Sequence, residues 1–334
     1  MNRARRAVLV LVAGLVAGPL AAPANPLAAA EPSGGDRARL AFRIDDERVV
    51  ESSGLAVSRT RPGLAYTVND SGDDARVLVL SMRDGAVVGE TMLAGAEADD
   101  FEALAPAPGG RLVVGDIGDN DAERASVEAY VIDEPRRGAR TVRPRTTSLT
   151  YPGGARDAEA LVVRGPTLFV VSKEALGGVY AAPVLGSSRD SYRLRRVADA
   201  PAIVTDAALL ADGDVVLRDY GSAHVVGLPG WRVRSTFRLP RVEQGETVAA
   251  APEGRRVYVG SEGGSSPVYV VDVPAEDDAR AGPAPTPAPQ QPEEQDRPQV
   301  RPTGYIVVVA AALLIGLLLG YRRRRRGRAP IQIR

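Results

Sequence analysis

Cysteine is absent from this chain, and histidine, tryptophan and lysine occur once each, as His224, Trp231 and Lys173. Without cysteine there is no disulfide, no thiolate nucleophile and no sulfur ligand for a metal, so a folded domain must rest on its core and hydrogen bonds. A lone histidine also excludes the paired-histidine zinc motif. Ser222 and Asp219 stand close to His224, but neighbours on one strand do not supply triad geometry, and no Gly-x-Ser-x-Gly elbow is present. Phosphate-binding loops and dinucleotide fingerprints are missing too. Arginine does all the basic work apart from Lys173, a bias expected of a GC-rich bacterial genome. Helical periodicity is almost absent between Asp36 and Pro274.

Long apolar runs occur only near the two ends. Arg3, Arg5 and Arg6 precede an apolar stretch from Ala7 to Val16, Pro19 breaks it, and Ala28-Ala29-Ala30 supply small residues at cleavage spacing. Residues 1–30 therefore read as a secretory signal peptide. At the other end, Tyr305 to Gly320 carries no charge. As a helix, Gly304 to Tyr321 would span roughly 27 Å, near the lower limit for crossing a bilayer. Arg322 to Arg326 follow at once, and positive charge stays on the cytoplasmic side. Between domain and helix, Pro283, Pro285, Pro287, Pro289, Pro292, Pro298 and Pro302 mark an extended spacer. The expected organisation is a signal peptide (1–30), an extracytoplasmic domain (31–274), a Pro-rich stalk (275–303), a transmembrane helix (304–321) and a basic cytoplasmic tail (322–334). That makes the chain a single-pass protein of the cell membrane.

The formal net charge of zero hides an asymmetry. Three of the 42 basic residues lie before position 31 and seven beyond Gly304, whereas all 42 acidic residues lie between, leaving that stretch at −10. Such a balance argues against nucleic acid or anionic lipid as the ligand of the domain, and suits a cation or a basic partner.

Within the domain, short apolar or β-branched runs alternate with Gly, Pro, Asp and Ser, which predicts an all-β fold. A repeat is visible. It opens as ESSGLAVS, DFEALAPA, DAEALVVR, VTDAALLA and GETVAAAP, and continues after a turn as LAYTVND, RLVVGDIGDN, TLFVVSKE, DVVLRDYG and RRVYVGSEG. Gly54, Ala103, Ala160, Ala207 and Val248 are equivalent, at the spacing of one four-stranded propeller blade each. The prediction is a β-propeller of five blades, or six if the long second unit hides a degenerate one. The fifth unit lacks an outer strand, and the run Arg39 to Ile44 upstream of the first is available to supply it.

On these residues the chain resembles the bacterial secreted β-propeller proteins, the broad WD-repeat-like group that includes esterase-like phytase domains and SdiA-regulated proteins. The segments carrying the likeness are ESSGLA, DFEALAPAPGGRLVVGDIGDN, ARDAEALVV with VSKE, and GETVAAAPEGRRVYVGSEG. The resemblance implies a propeller; it implies no one activity, because members range from hydrolases to scaffolds.

Two sets of polar residues recur at equivalent repeat positions. Asp70, Asp116, Lys173, Asp219 and Glu262 follow the second strands. Glu51, Asp100 with Glu102, Asp157 with Glu159, Asp206 and Glu246 open the first strands. In a propeller both sets can converge on one mouth of the central channel. Two readings follow. One is a Ca²⁺-like site of hard oxygen ligands, with Asp70, Asp116, Asp157, Asp206, Asp219 and Glu262 as metal candidates. In the other, Asp and Asn form turns after strands and cap the backbone amides of neighbouring blades. Lys173 among acids reads as an ion-pair partner. The expected function is a binding or scaffold module with a protein or cell-surface partner and no nucleic acid. The alternative is a metal-dependent hydrolase, of phosphoesterase or lactonase type, in which Glu102 or Glu159 activates water and Lys173 is a further catalytic candidate.

Overall fold

The computed structural model describes residues 38–70, 72–186 and 188–275. The expected signal peptide, the stalk beyond Ala275, the transmembrane helix and the basic tail lie outside them. Among the described residues no helix is long and apolar enough to cross a membrane.

Five antiparallel sheets form the blades of a β-propeller. Blade 1 is β2 (Ser52–Val57), β3 (Leu64–Asn69), β4 (Arg76–Ser81) and β5 (Val87–Leu93). Blade 2 is β6 (Phe101–Ala107), β7 (Arg111–Asp116), β8 (Val127–Asp133) and β10 (Arg145–Thr150). β11 (Ala158–Arg164), β12 (Thr167–Ser172), β13 (Gly178–Ala182) and β15 (Arg195–Asp199) make blade 3. Blade 4 consists of β16 (Asp206–Leu209), β17 (Val215–Arg218), β18 (Ser222–Gly227) and β19 (Arg232–Arg238). Blade 5 takes β20 (Thr247–Ala250), β21 (Arg256–Gly260) and β22 (Ser266–Asp272) from the end of the domain and β1 (Ala38–Ile44) from its start. β1 runs antiparallel to β22, from Ala38 opposite Val271 to Ile44 opposite Ser266. The ring is thus closed by hydrogen bonds between the two ends of the domain, and the edge that β22 would expose is covered.

Strand chemistry follows distance from the axis. The innermost strands β2, β6, β11, β16 and β20 each touch the next around the ring, β20 returning to β2. Their side chains are small or short, and almost all are buried. Close approach demands this: a Cβ on Gly54 would sit 3.1 Å from the Ala103 carbonyl carbon and the Leu104 nitrogen of the next blade. Strands farther from the axis are partly solvated and alternate, as β5 and β22 do. Aliphatic residues of the inner strands, among them Leu55, Leu104, Leu161 and Val248, meet at the axis. They leave a cavity of about 20 Å³ there, room for one water. The two ends of the propeller are therefore chemically separate.

Two strands depart from the repeat. β9 (Gly138–Val142) lies between two blade 2 strands in sequence, yet pairs parallel with β5 at the edge of blade 1. β14 (Ser191–Arg193) likewise leaves the blade 3 segment to pair parallel with β10 of blade 2. The segment Ser191 to Asp199 is consequently split: Ser191–Arg193 serves blade 2 and Arg195 onward serves blade 3. Parallel pairing to a strand of the preceding blade leaves no alternating signature within the segment itself.

Side chains also join the blades. Glu134, just past β8, accepts hydrogen bonds from the Ser58 and Thr60 hydroxyls at 2.5 Å each and from the Arg59 and Thr60 amides at 3.1 and 3.2 Å. The Tyr66 hydroxyl donates to the Pro135 carbonyl at 2.9 Å.

Ring closure through β1 makes a contrast within one strand. Ile44 is 1% exposed and Leu40 51% exposed. Ile44→Ala should cost about 2–5 kcal/mol in urea unfolding, and Leu40→Ala no more than about 0.5 kcal/mol. Equal, small losses would mean that β1 does not hold the ring.

Candidate functional site

First strands begin, and second strands finish, at the same end of the propeller, because the two are antiparallel neighbours within each blade. Both recurring polar sets therefore lie at one mouth. Their side chains then divide into those that meet and those spent on the scaffold.

Asp70 is the meeting point. Its carboxylate oxygens lie within 4.8 Å of those of Glu51 and Glu262, and, on the other side, of Asp100 and Glu102. Burial pushes Asp100 up to about 7, helped by the hydrogen bond and charge of Asp70 and by the charge of Asp157. Glu262 is also pushed up to about 7, by burial first and then by Glu246, Asp70 and Glu51. Gln244 donates its side-chain amide to Glu262. Deeper in, Glu102 is buried and accepts a hydrogen bond from the Ser53 hydroxyl. Burial, with the charges of Glu159 and Asp70, raises Glu102 well above the usual carboxylate range. Backbone packs directly on this cluster: a Cβ at Gly118 would fall 2.3 Å from Asp100 Oδ2 and 2.9 Å from Glu102 Cγ. Glycine at 118 is what leaves room for the two carboxylates.

Glu159 faces the same interior but has a partner of opposite charge. Lys173 Nζ is ion-paired with it and lies 5.5 Å from the centre of the Tyr220 ring. Burial raises Glu159, and Lys173 opposes that rise. For Lys173 burial acts downward, but the Glu159 hydrogen bond and charge outweigh it and hold the ammonium above its ordinary range.

The other metal candidates are bound into the fold. Asp116 is fully buried, 2.7 Å from Arg124 Nη1, and accepts the Asp100 amide at 3.0 Å. Asp157 accepts the Asp119 amide of blade 2 at 3.1 Å. Asp206, also fully buried, takes the amides of Ala207 at 2.7 Å and of Val248, in blade 5, at 2.6 Å. Beside it the buried Arg218 donates to the Thr247 and Gly260 carbonyls at 2.5 and 2.7 Å. Asp219 accepts the Gly221 and Ser222 amides at 2.8 and 2.6 Å and lies 3.0 Å from His224 Nε2. Burial would raise Asp219, but these hydrogen bonds hold it below its usual value. His224 in turn reaches Thr236 Oγ1 at 3.0 Å. The mouth cluster thus keeps Asp70 and Glu262 of the expected metal set and adds Glu51, Asp100 and Glu102. Those three were legible as repeat-equivalent acids, but no pattern in the sequence separates an acid that faces the mouth from one that caps a neighbouring blade.

Fold and site together define a closed five-bladed β-propeller with an acidic mouth. No family model matches the chain, and no curated protein is similar to it in sequence. Among solved structures it is similar to the hydrazine synthase of Kuenenia stuttgartiensis, with 16% identity and a TM-score of 0.39 over 65% of this chain and 57% of that one. It is also similar to the glutaminyl cyclase of Myxococcus xanthus, with 14% identity and a TM-score of 0.45 over 71% of this chain and 97% of that one. The five-bladed propeller itself is the level at which the resemblance read from the sequence holds.

The raised carboxyls have a thermodynamic sign. A carboxyl whose folded pKa exceeds its unfolded one binds its proton more tightly in the folded state, so its stabilisation is full at low pH and is lost as pH rises through the folded value. For Asp100 and Glu262 that loss begins near the ordinary carboxylate value, about 4, and is complete at about 7. The metal-free melting temperature should therefore fall between about pH 4 and pH 7 and level off above, and Asp100→Asn should flatten the fall. A melting temperature that rises with pH across this window would refute the mutual repulsion.

Proposed function

We propose that this protein is an extracytoplasmic binding module whose acidic mouth takes a divalent cation of the Ca²⁺ type and presents it to a protein or cell-surface partner. The observation behind this reading is the pair of carboxylate triads that share Asp70. Glu51, Asp70, Asp100, Glu102 and Glu262 offer hard oxygen donors alone, which suit Ca²⁺ or Mg²⁺ and not the thiophilic metals. Carboxylates crowded this closely repel, and a cation relieves that cost. Both ends of the domain support the placement. Ala38 and Val273 lie at the end where β21 begins, opposite the mouth. A Pro-rich stalk from Ala275 and a membrane anchor beyond it would tether the module. The signal-like residues 1–30 and the apolar run before Arg322 to Arg326 support such an anchor.

A metal-dependent hydrolase would need a carboxylate free to activate water. Glu159 is engaged by Lys173, and Glu102 is buried against Ser53 with its proton favoured. The geometry therefore supports the binding reading better.

Calorimetric titration of the full-length protein with CaCl₂ tests it, alongside melting with and without chelator. One saturable event is expected, and at a hundredfold excess over Kd a rise in melting temperature of roughly 5–10 °C. Asp70→Asn should abolish both effects, whereas Asp219→Asn should leave binding intact. Affinity should weaken as pH falls below about 7, because protons then compete for Asp100 and Glu262. Absence of binding heat together with an unchanged melt would remove the cation from the proposal.

A further inference from the structure

The overall acidity of the domain conceals a basic cleft. It lies between the outer strands of blades 1 and 2, with a volume of about 560 Å³, within the range of small-molecule sites. Six arginines line it (Arg61, Arg111, Arg136, Arg140, Arg143 and Arg145) against two carboxylates, Asp133 and Glu134. Arg61 comes from the β2–β3 turn and Arg111 opens β7, both at the end opposite the acidic mouth.

Several of these guanidiniums are placed without being neutralised. Arg61 Nε donates to the Glu134 carbonyl at 3.3 Å, Arg111 Nε to the Pro108 carbonyl at 2.9 Å, and Arg140 Nη2 to the Arg137 carbonyl at 2.6 Å. A carbonyl fixes the side chain but leaves its charge and most of its five donors. The Glu134 carboxylate is committed to Ser58, Arg59 and Thr60. Arg140 is lowered from its ordinary value by burial and by the like charges of Arg136 and Arg61. This is the reverse of the mouth: here cations are crowded and an anion would relieve the cost.

A second observation points the same way. Thr91 on β5 is 1% exposed and lines the cleft, and its Oγ1 has no hydrogen-bond partner among the described residues. Its register partner on β9 is Arg140, so the two side chains stand side by side, and Arg140 Nε is likewise buried without a partner. Two adjacent buried donors left open cost stability unless a ligand's oxygens meet them. β9, the strand that departs from the repeat, is what brings Arg140 to Thr91.

We infer that this cleft binds a phosphate-class oxyanion, either a free phosphate ester or the phosphodiester of an anionic lipid headgroup. Forked guanidiniums match phosphate oxygens bidentately, and a phosphate offers more acceptor oxygens to surrounding arginines than a single carboxylate does. The test is calorimetric titration of the full-length protein in neutral detergent. The probes are inorganic phosphate, pyrophosphate and dihexanoyl phosphatidylglycerol, with dihexanoyl phosphatidylcholine and citrate as comparisons. Saturable binding of one phosphate probe is expected, weakened about tenfold in Arg140→Gln and by a smaller factor in Thr91→Val, which keeps the side-chain shape. Asp70→Asn, at the far mouth, should leave it unchanged. Binding of inorganic phosphate or pyrophosphate identifies a free phosphate ester as the source. Binding of the phosphatidylglycerol alone identifies a headgroup. Lack of saturable binding by any phosphate probe overturns the proposal, as does tighter binding of citrate than of every phosphate. Binding indifferent to both Arg140→Gln and Thr91→Val overturns its location.

Discussion

Five strands meeting around one axis is the constraint from which the rest of this molecule follows. Where inner strands approach backbone to backbone a small residue is needed, and Gly54 stands there, with Ala103, Ala160, Ala207 and Val248 at the equivalent positions. Aliphatic side chains then fill the channel, and the propeller has two separate ends instead of a pore. The same closure requires a last strand from somewhere, and β1 supplies it to blade 5. In a chain without cysteine, this pairing of the first and last strands of the domain does the job a disulfide would otherwise do.

Convergence at the axis also sets the electrostatics. Residues that open the inner strands are drawn together regardless of their charge, and five blades contribute an acid each. The fold manages this in two ways. Asp116, Asp157, Asp206 and Asp219 are turned onto amides or cations of their own or adjacent blades, where each carboxylate serves as a joint. Glu51, Asp70, Asp100, Glu102 and Glu262 are left facing one another, and burial together with neighbouring acids raises Asp100, Glu102 and Glu262. Lys173 answers Glu159 within the same ring of positions. At the opposite end the turns and β9 gather arginine, so a domain that is acidic in sum has a basic cleft.

The five blades were legible because each repeats the same order of small apolar strand, turn and second apolar strand, and because β1 stood unclaimed upstream. The β9 and β14 segments were not: GARTV and SYR are short and poor in apolar residues, and their partners lie in another blade. For the same reason the basic cleft was invisible, since its arginines are brought together by pairing across blades. Net charge over the whole domain pointed to a cation, which suits one end and misses the other.

What the sequence by itself determined is the period: where each blade begins, which residues must be small at the axis, and which end collects the acids. Those properties are local, written in each repeat and needing only that the repeats close into a ring. What the tertiary structure alone decided is the fate of each acid. Glu102 and Asp206 occupy equivalent positions, one residue before Ala103 and Ala207, yet one meets the carboxylates of Asp70 and Asp100 and the other is buried on two amides beside Arg218. The difference lies in the side chain and backbone that the adjacent blade presents, and a repeat carries no record of its neighbour's rotamers.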